Sequence, residues 1–405
     1  MHQILLSAAI ALLVIPPIAI GGAEMDEWRE RADASIRQHR MGKLVVLAEP
    51  GTIVRVRQQR HAFEFGSALS NRFFNGSMDD RPEALEKALT IIRENFNAAV
   101  PENAMKWRQV ERERGQERWG TFDRMLAFCE ENDIPVRGHC LLWAFGRFVP
   151  GWVKDLGDEE LREVMEERIR SVLERYRGRV VEYDLNNEML LGKFFRDRLG
   201  EGIRAHMFEF AHRVAPETPM YLNDFRILRG LALGQYVKQI QGLLEAGAPV
   251  GGVGIQGHPR PGIPSAQQIQ HSLDRLARFD LPIKITEFAV GEDAGGDAPA
   301  QLERLYRVAF AHSRVEGIYM WGFWEGAHWR PQSALWRKDF TLTPAGEMFR
   351  RLVFEEWWTD AEVQVGRDGR TEVPAFHGNY LVAADGEEQE VELLPEAGEI
   401  EVDLR

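Results

Sequence analysis

From about residue 62 the chain alternates short apolar runs with longer stretches in which apolar residues recur every three or four positions. The short runs are AFEFGSAL, FNAAVP, PVRGHCLLW, VVEYDLNNE, PMYLND, GGVGIQGH, PIKITEFAV and GIYMWGFW, each of strand length. Between them lie RPEALEKALTIIREN, TFDRMLAFCEEN, DEELREVMEERIRSVLERY and QYVKQIQGLLEAG, which carry the spacing of amphipathic helices. Eight strands, each followed by a helix, predict an α/β fold: a closed, parallel (β/α)8 TIM barrel over residues 61–358. A doubly wound open sheet produces a similar alternation. It would carry a Gly-rich phosphate loop after an early strand, however, and the count of eight favours closure.

Two segments lie outside this pattern. Residues 24–60 read as a charged helix, MDEWRERADASIRQHR, followed by LVVLAEPGTIVRVRQQ, whose alternation is that of a β-hairpin. Residues 359–405 read as short strands, EVQV, AFHGNYLVAAD, EQEVELL and EIEVDL, separated by Gly and Asp turns. Neither segment alone buries much core. The expectation is therefore one small β-rich accessory module in which 359–405 pairs with 41–60, against the alternative of two independent decorations.

The first 23 residues differ again. An apolar run from Ile4 to Ile20 ends in Gly21, Gly22 and Ala23 before charge begins at Glu24, as in a secretory signal cleaved near Ala23. Pro16 and Pro17 oppose a stable spanning helix, the rival being a retained membrane anchor. A secreted or periplasmic protein is expected, with no membrane association once the signal is removed. The net charge of −13, from 63 acidic and 50 basic residues, repels phosphate backbones and argues against nucleic acid as a partner. Cys129 and Cys140 form no zinc or redox motif; two buried free thiols are expected, with a bridge as the alternative.

Polar residues gather at the C-terminal ends of the predicted strands: His139, Asn187 and Glu188, Asn223 and Asp224, Gln256 and His258, Glu287, Trp321. In a (β/α)8 barrel that end is the active face, because the βα loops surround it. Glu188 and Glu287 end the fourth and seventh strands, which face one another across the mouth. Two carboxyl groups flanking one bond, roughly 5–5.5 Å apart, are what a retaining glycoside hydrolase needs, one as acid/base and one as nucleophile. Gln256 and His258, two apart on one strand, point the same way and are expected to hold Glu287 ionised and to contact substrate. Asp224 is either a positioning group or a helix cap. Trp357 and Trp358 read as packing against the last helix.

These segments together resemble glycoside hydrolase family 10, the xylanase family. PENAMKW (101–107) is similar to a motif lining the glycone subsites, which implies that role for Glu102, Asn103 and Lys106. RGHCLLW (137–143) implies substrate contacts from His139 and Trp143, and DLNNEML places the acid/base on Glu188 with Asn187 beside it. YLND implies Asn223, GIQGH implies Gln256 and His258, and ITEF places the nucleophile on Glu287. In WGFWEGAHW, Trp321 and Trp329 match the tryptophan wall over the cleavage point, and Trp324 adds an aromatic to the same loop. The resemblance covers roughly 62–355, with motifs on at least six strands in order.

The chain departs from the pattern after Trp143. Where the family continues with His, Ser and Gln, it has Ala144, Phe145 and Gly146, then Arg147 and Phe148. A polar contact is thereby removed from the glycone side, and apolar bulk and a cation are added. Asn186 stands where the family has Val. The resemblance implies hydrolysis of β-1,4-xylosidic bonds in a xylan-like polysaccharide by double displacement; a monomer with no cofactor is expected, and no clustered His, Asp or Glu spacing calls for a metal. Two alternatives stay open: the same scaffold acting on another β-glycan or as an exo-enzyme, and a non-catalytic carbohydrate-binding barrel.

Overall fold

The computed structural model describes residues 21–258, 264–290 and 297–405. The first barrel strand is Glu64–Leu69 and the second Ala98–Pro101; the third is split into Arg137–Gly138 and Leu142–Trp143. The fourth to eighth are Glu182–Asn187, Met220–Asp224, Gly252–Ile255, Ile283–Phe288 and Val315–Met320. Neighbours pair in parallel from the second strand back through the first to the eighth, and down to the third. The ring closes where Ala99 bridges Val136, its amide donating to the Pro135 carbonyl at 2.9 Å. The TIM barrel expected from the pattern is therefore the fold.

Local sequence explains where the surrounding helices begin. Helix Pro82–Asn95 starts on a proline, whose missing N–H has no partner to lose at that position, and buries Ala88, Ile91, Ile92 and Asn95 at helical spacing. Ser265 and Gln268 form a reciprocal capping box at the start of helix Ala266–Ala277. Asp297 caps helix Ala298–Ala311, and Thr343 caps helix Pro344–Arg351.

The barrel interior is held by charge as well as apolar packing. Arg137, fully buried, donates to Glu182 Oε1 and Asp184 Oδ1, each at 2.8 Å. Lys284 Nζ bridges Glu182 Oε2 at 2.8 Å and Glu64 Oε2 at 2.7 Å. The rings of Tyr221 and Tyr319 flank the Arg137 guanidinium with centroids at 5.3 and 5.7 Å. Those rings fit because Gly252 and Gly66 stand beside them; a Cβ at either glycine would collide with the neighbouring tyrosine. Cys129 and Cys140 are both buried and unbridged.

The chain ends build two further sheets. Met41–Leu47 lies between Arg370–Phe376, antiparallel, and Glu399–Asp403, parallel. Ile53–His61 lies between Asp360–Gln364 and Gly378–Ala384, with Glu387–Leu393 at the edge. Leu44, Val46, Val54, Val56, Val373, Tyr380, Val382 and Val402 share one apolar cluster between the sheets. The hairpin expected over the first two of these strands is corrected: they do not pair with each other, and residues 48–52 carry the chain from one sheet to the other. Alternation specifies a half-buried strand but not its partner, and here each strand finds better partners in the C-terminal segment. Helix Gly21–Arg40 docks on the barrel through Arg29–Glu303 at 2.9 Å and Ser35 to the Ala311 carbonyl at 2.8 Å. Trp357 packs on Phe310 with centroids 4.5 Å apart. The proposed signal falls almost wholly on residues 1–20, outside the described residues. Among the described residues no helix is long and apolar enough to cross a membrane.

Candidate active site

Glu188 sits one residue past the fourth strand, and its backbone is bent into the left-handed region at φ 62°. A non-glycine residue persists there only when its surroundings over-determine it. Three bonds do so here. The Glu188 amide donates to the Asn223 carbonyl at 2.9 Å, the Gly192 amide donates to the Glu188 carbonyl at 2.9 Å, and the Leu190 amide donates to Asp224 Oδ2 at 2.8 Å. Asp224 also accepts from the Phe225 amide at 3.0 Å, so it positions the turn behind Glu188 and caps no helix. Burial pushes its carboxyl up to about 7, against those two bonds and with help from the nearby Glu188 and Glu287 charges.

The two candidate carboxylates have different surroundings. Glu188 accepts from Trp143 Nε1 at 2.9 Å and Gln256 Nε2 at 3.1 Å. Burial raises its pKa, and the negative charge of Glu287 adds to that, while the two hydrogen bonds oppose it. Glu287 accepts from Asn223 Nδ2 at 2.8 Å and pairs with His258 Nε2 at 3.0 Å. Burial alone would raise it too. The His258 bond and the cationic charges of His139, His258 and Lys106 outweigh burial and hold Glu287 down at about 2.

The supporting residues form a continuous network. Asn223 Nδ2 also donates to Asn187 Oδ1 at 3.0 Å, and Asn223 Oδ1 accepts from Thr286 at 2.6 Å, so one amide ties the fourth and seventh strands together. His139 bonds Asp184 Oδ2 at 2.8 Å through Nδ1, which couples it to the buried Arg137 cluster. Lys106 Nζ donates to Asn103 Oδ1 at 3.1 Å and lies 4.7 Å from the Trp143 ring centroid and 5.7 Å from that of Trp321. Glu102 lies close enough for Lys106 to oppose the upward push of burial on its carboxyl. His258 faces both Trp321 and Trp329, with ring centroids at 6.3 and 5.0 Å. Trp321 is buried, whereas Trp329 is 43% exposed, with the Arg330 guanidinium 4.6 Å from its ring centroid. The candidate catalytic and substrate-contacting residues thus gather at one mouth.

Several readings are sharpened or corrected. Gln256 and His258 do not both serve Glu287: Gln256 donates to Glu188 and only His258 reaches Glu287. Trp324 does not enter the cleft; it is buried and stacks on Phe340 with centroids 4.9 Å apart and planes 8° apart. Asn186 faces away from the mouth, toward Met207 on helix Ile203–Val214. Ala144 is buried against Gly192, where a Cβ added to the glycine would collide with it. Sequence reasoning missed Asp184, Arg137 and Thr286 as supports. The signal that could have found Asp184 is its place on the fourth strand beside the His139 strand.

A cleft of about 300 Å³ lined by Glu188, Gln256, His258, Arg147, Phe225 and Trp329 opens beside the carboxylates. A larger cavity of about 480 Å³ lies at the opposite end, between the strand starts and the β-sheets, lined by His61, Phe96 and Trp358. It touches none of the candidate residues.

The chain matches the family described as "Glycosyl hydrolase family 10" over residues 56–351. It is 35% identical over 336 residues to endo-1,4-beta-xylanase 1 of Arabidopsis thaliana, covering 82% of this chain and 34% of that protein. It is 36% identical over 324 residues to the anti-sigma-I factor RsgI6 of Acetivibrio thermocellus, covering 80% of this chain and 41% of that protein. The chain therefore spans between a third and a half of the length of these curated relatives. Among solved structures, xylanase 10B of Thermotoga petrophila, in complex with xylobiose, superposes with a TM-score of 0.65 at 25% identity, covering 73% of this chain and 95% of that one. Native xylanase 10B of Thermotoga maritima gives 0.65 at 26%, covering 73% and 96%. With the family match spanning most of the barrel, and with its motifs converging on one mouth, the chain belongs to glycosyl hydrolase family 10.

Proposed function

We propose that this protein is an exported retaining glycoside hydrolase that cleaves β-1,4-xylosidic bonds in a xylan-like polysaccharide, acting as a monomer. The observation that carries the reading is the opposed state of two glutamates at one mouth: burial keeps Glu188 protonated to higher pH, while Glu287 is held ionised. Carboxyl groups whose environments push their pKa values apart divide the acid and nucleophile roles.

In this mechanism Glu188 donates its proton to the departing glycosidic oxygen as Glu287 attacks the anomeric carbon and forms a covalent glycosyl-enzyme. Glu188, now a carboxylate, takes a proton from water, which attacks the same carbon and releases the sugar with its β-configuration restored. Asn187, held by Asn223, is placed to bond a sugar hydroxyl more strongly in the transition state. Trp321 and Trp329 wall the cleavage point; Glu102, Asn103, Lys106, His139 and Trp143 take the glycone side. The kinship with xylanases supports the substrate, and the apolar run Ile4–Ile20 supports export. Mature extracellular protein is expected to begin near Glu24 by intact mass; a start at Met1 would overturn export.

The test of the chemistry is Glu287→Ala. Turnover of an aryl β-xylobioside is expected to vanish and to return in part with azide, giving the α-glycosyl azide. A β-product, or no rescue, sinks the nucleophile assignment. A second reading is a barrel that binds glycan without cleaving it. Wild-type protein that binds xylooligosaccharides and releases no reducing ends would establish it.

A further inference from the structure

Beside the Trp143–Lys106 pair lies a cleft of about 650 Å³, lined by Lys106, Arg108, Gln109, Arg112, Trp143 and Phe148 among others. That volume lies within the roughly 300–1,000 Å³ of small-molecule sites. Its lining holds three cations and no carboxylate, in a chain that carries 63 acidic residues against 50 basic.

Neither arginine is neutralised by an acidic side chain among the described residues. Arg108 Nη1 donates to the Arg147 carbonyl at 2.8 Å, and Arg112 Nη2 donates to Gln109 Oε1 at 3.0 Å. Both partners are neutral. Two residues further on, Arg114 pairs with Glu160 at 2.8 Å, which is the ordinary fate of a surface arginine in an acidic protein. The Arg108 bond also anchors the segment in which the chain departs from the family pattern. Phe148 of that segment stacks on Trp143 with centroids 3.7 Å apart and planes 22° apart, and Arg147 lies 4.7 Å from the Phe148 centroid. The departure thus builds an aromatic platform and a cationic rim next to the glycone side.

A neutral glycan offers these cations hydroxyl acceptors but no charge to compensate them. A guanidinium fork matches a carboxylate in both charge and geometry. We infer that this cleft binds a carboxylate-bearing sugar, a uronic acid carried as a branch on the glycan chain, through Arg108 and Arg112. The inference rests on the glycan-cleaving reading for the direction of the main chain, but its test does not require turnover.

The experiment is calorimetric titration of the Glu287→Gln variant with a glucuronic-acid-branched xylooligosaccharide, and with the same compound after its carboxyl is reduced to the alcohol. The acid is expected to bind about tenfold more tightly in 20 mM salt, and the preference to shrink to about twofold in 0.5 M salt as the charges are screened. Adding Arg108→Gln and Arg112→Gln should bring the two ligands to within about twofold, while Arg108→Lys with Arg112→Lys should retain part of the preference. Equal binding of the two ligands to the Glu287→Gln parent overturns the inference. So does a preference that survives the double glutamine substitution. Wild-type protein that shows the preference yet releases no reducing ends would refute the hydrolase and leave the cleft standing. Hydrolysis of both polymers with equal binding would do the reverse.

Discussion

Replacing His258 by Ala removes the donor that does most to keep Glu287 ionised. The bond is 3.0 Å long and ends on a buried carboxylate held at about 2. A hydrogen bond to a charged group contributes roughly 1.5–3 kcal/mol, and one pKa unit is worth about 1.36 kcal/mol. Glu287 should therefore rise by about one to two units, to about 3–4, with Asn223 still in place. The sign follows from the role. Glu287 acts as the carboxylate, so activity is present above its pKa and lost as pH falls through it. In the wild type that loss lies near pH 2; in the variant it moves up into the range of roughly pH 3–4. The assay is the rate of covalent labelling by a 2-deoxy-2-fluoro-xylobioside between pH 3 and 7, with folding followed by circular dichroism at each pH. The wild-type profile should stay flat down to pH 3 while that of His258→Ala falls. Profiles of one shape in both proteins would refute this account of the Glu287 environment. His258→Gln, which restores a donor, should recover part of the difference.

Two further outcomes are expected. Gln256→Met deprives the Glu188 carboxylate of one of its two donors, so Glu188 should titrate higher and the basic limb of kcat should move up by roughly half to one unit; a limb that stays put or moves down contradicts the assigned contact. Arg137→Met leaves Asp184 to His139 and Glu182 to Lys284 in the barrel interior, which should cost about 3–5 kcal/mol in urea unfolding; a loss below about 1 kcal/mol would mean that the cluster relaxes without it.

Much of this was legible along the chain. The eight strands lie where the apolar runs stand, because burial between helices demands apolar residues whatever the neighbours are. The polar strand ends converge because parallel strands in a closed barrel all point the same way. Which amide serves which carboxylate was not legible. Gln256 and His258 both lie just past the sixth strand, which ends at Ile255, and there the fold turns one toward Glu188 and the other toward Glu287. Trp324 shows the same limit: the sequence places an aromatic in the eighth loop, but only the fold stacks it on Phe340.

The sequence by itself determined the elements, the barrel and the set of side chains at its mouth, since each follows from local periodicity and strand direction. Only the tertiary structure decided the pairings. It separated Met41–Leu47 from Ile53–His61 into two sheets, bent Glu188 into the left-handed region, tied His139 to Asp184, and left Arg108 and Arg112 without an acidic partner among the described residues. Those outcomes depend on contacts between residues distant in sequence, whose free energies are set by which surfaces meet and how much water leaves, and periodicity along a chain does not carry that information.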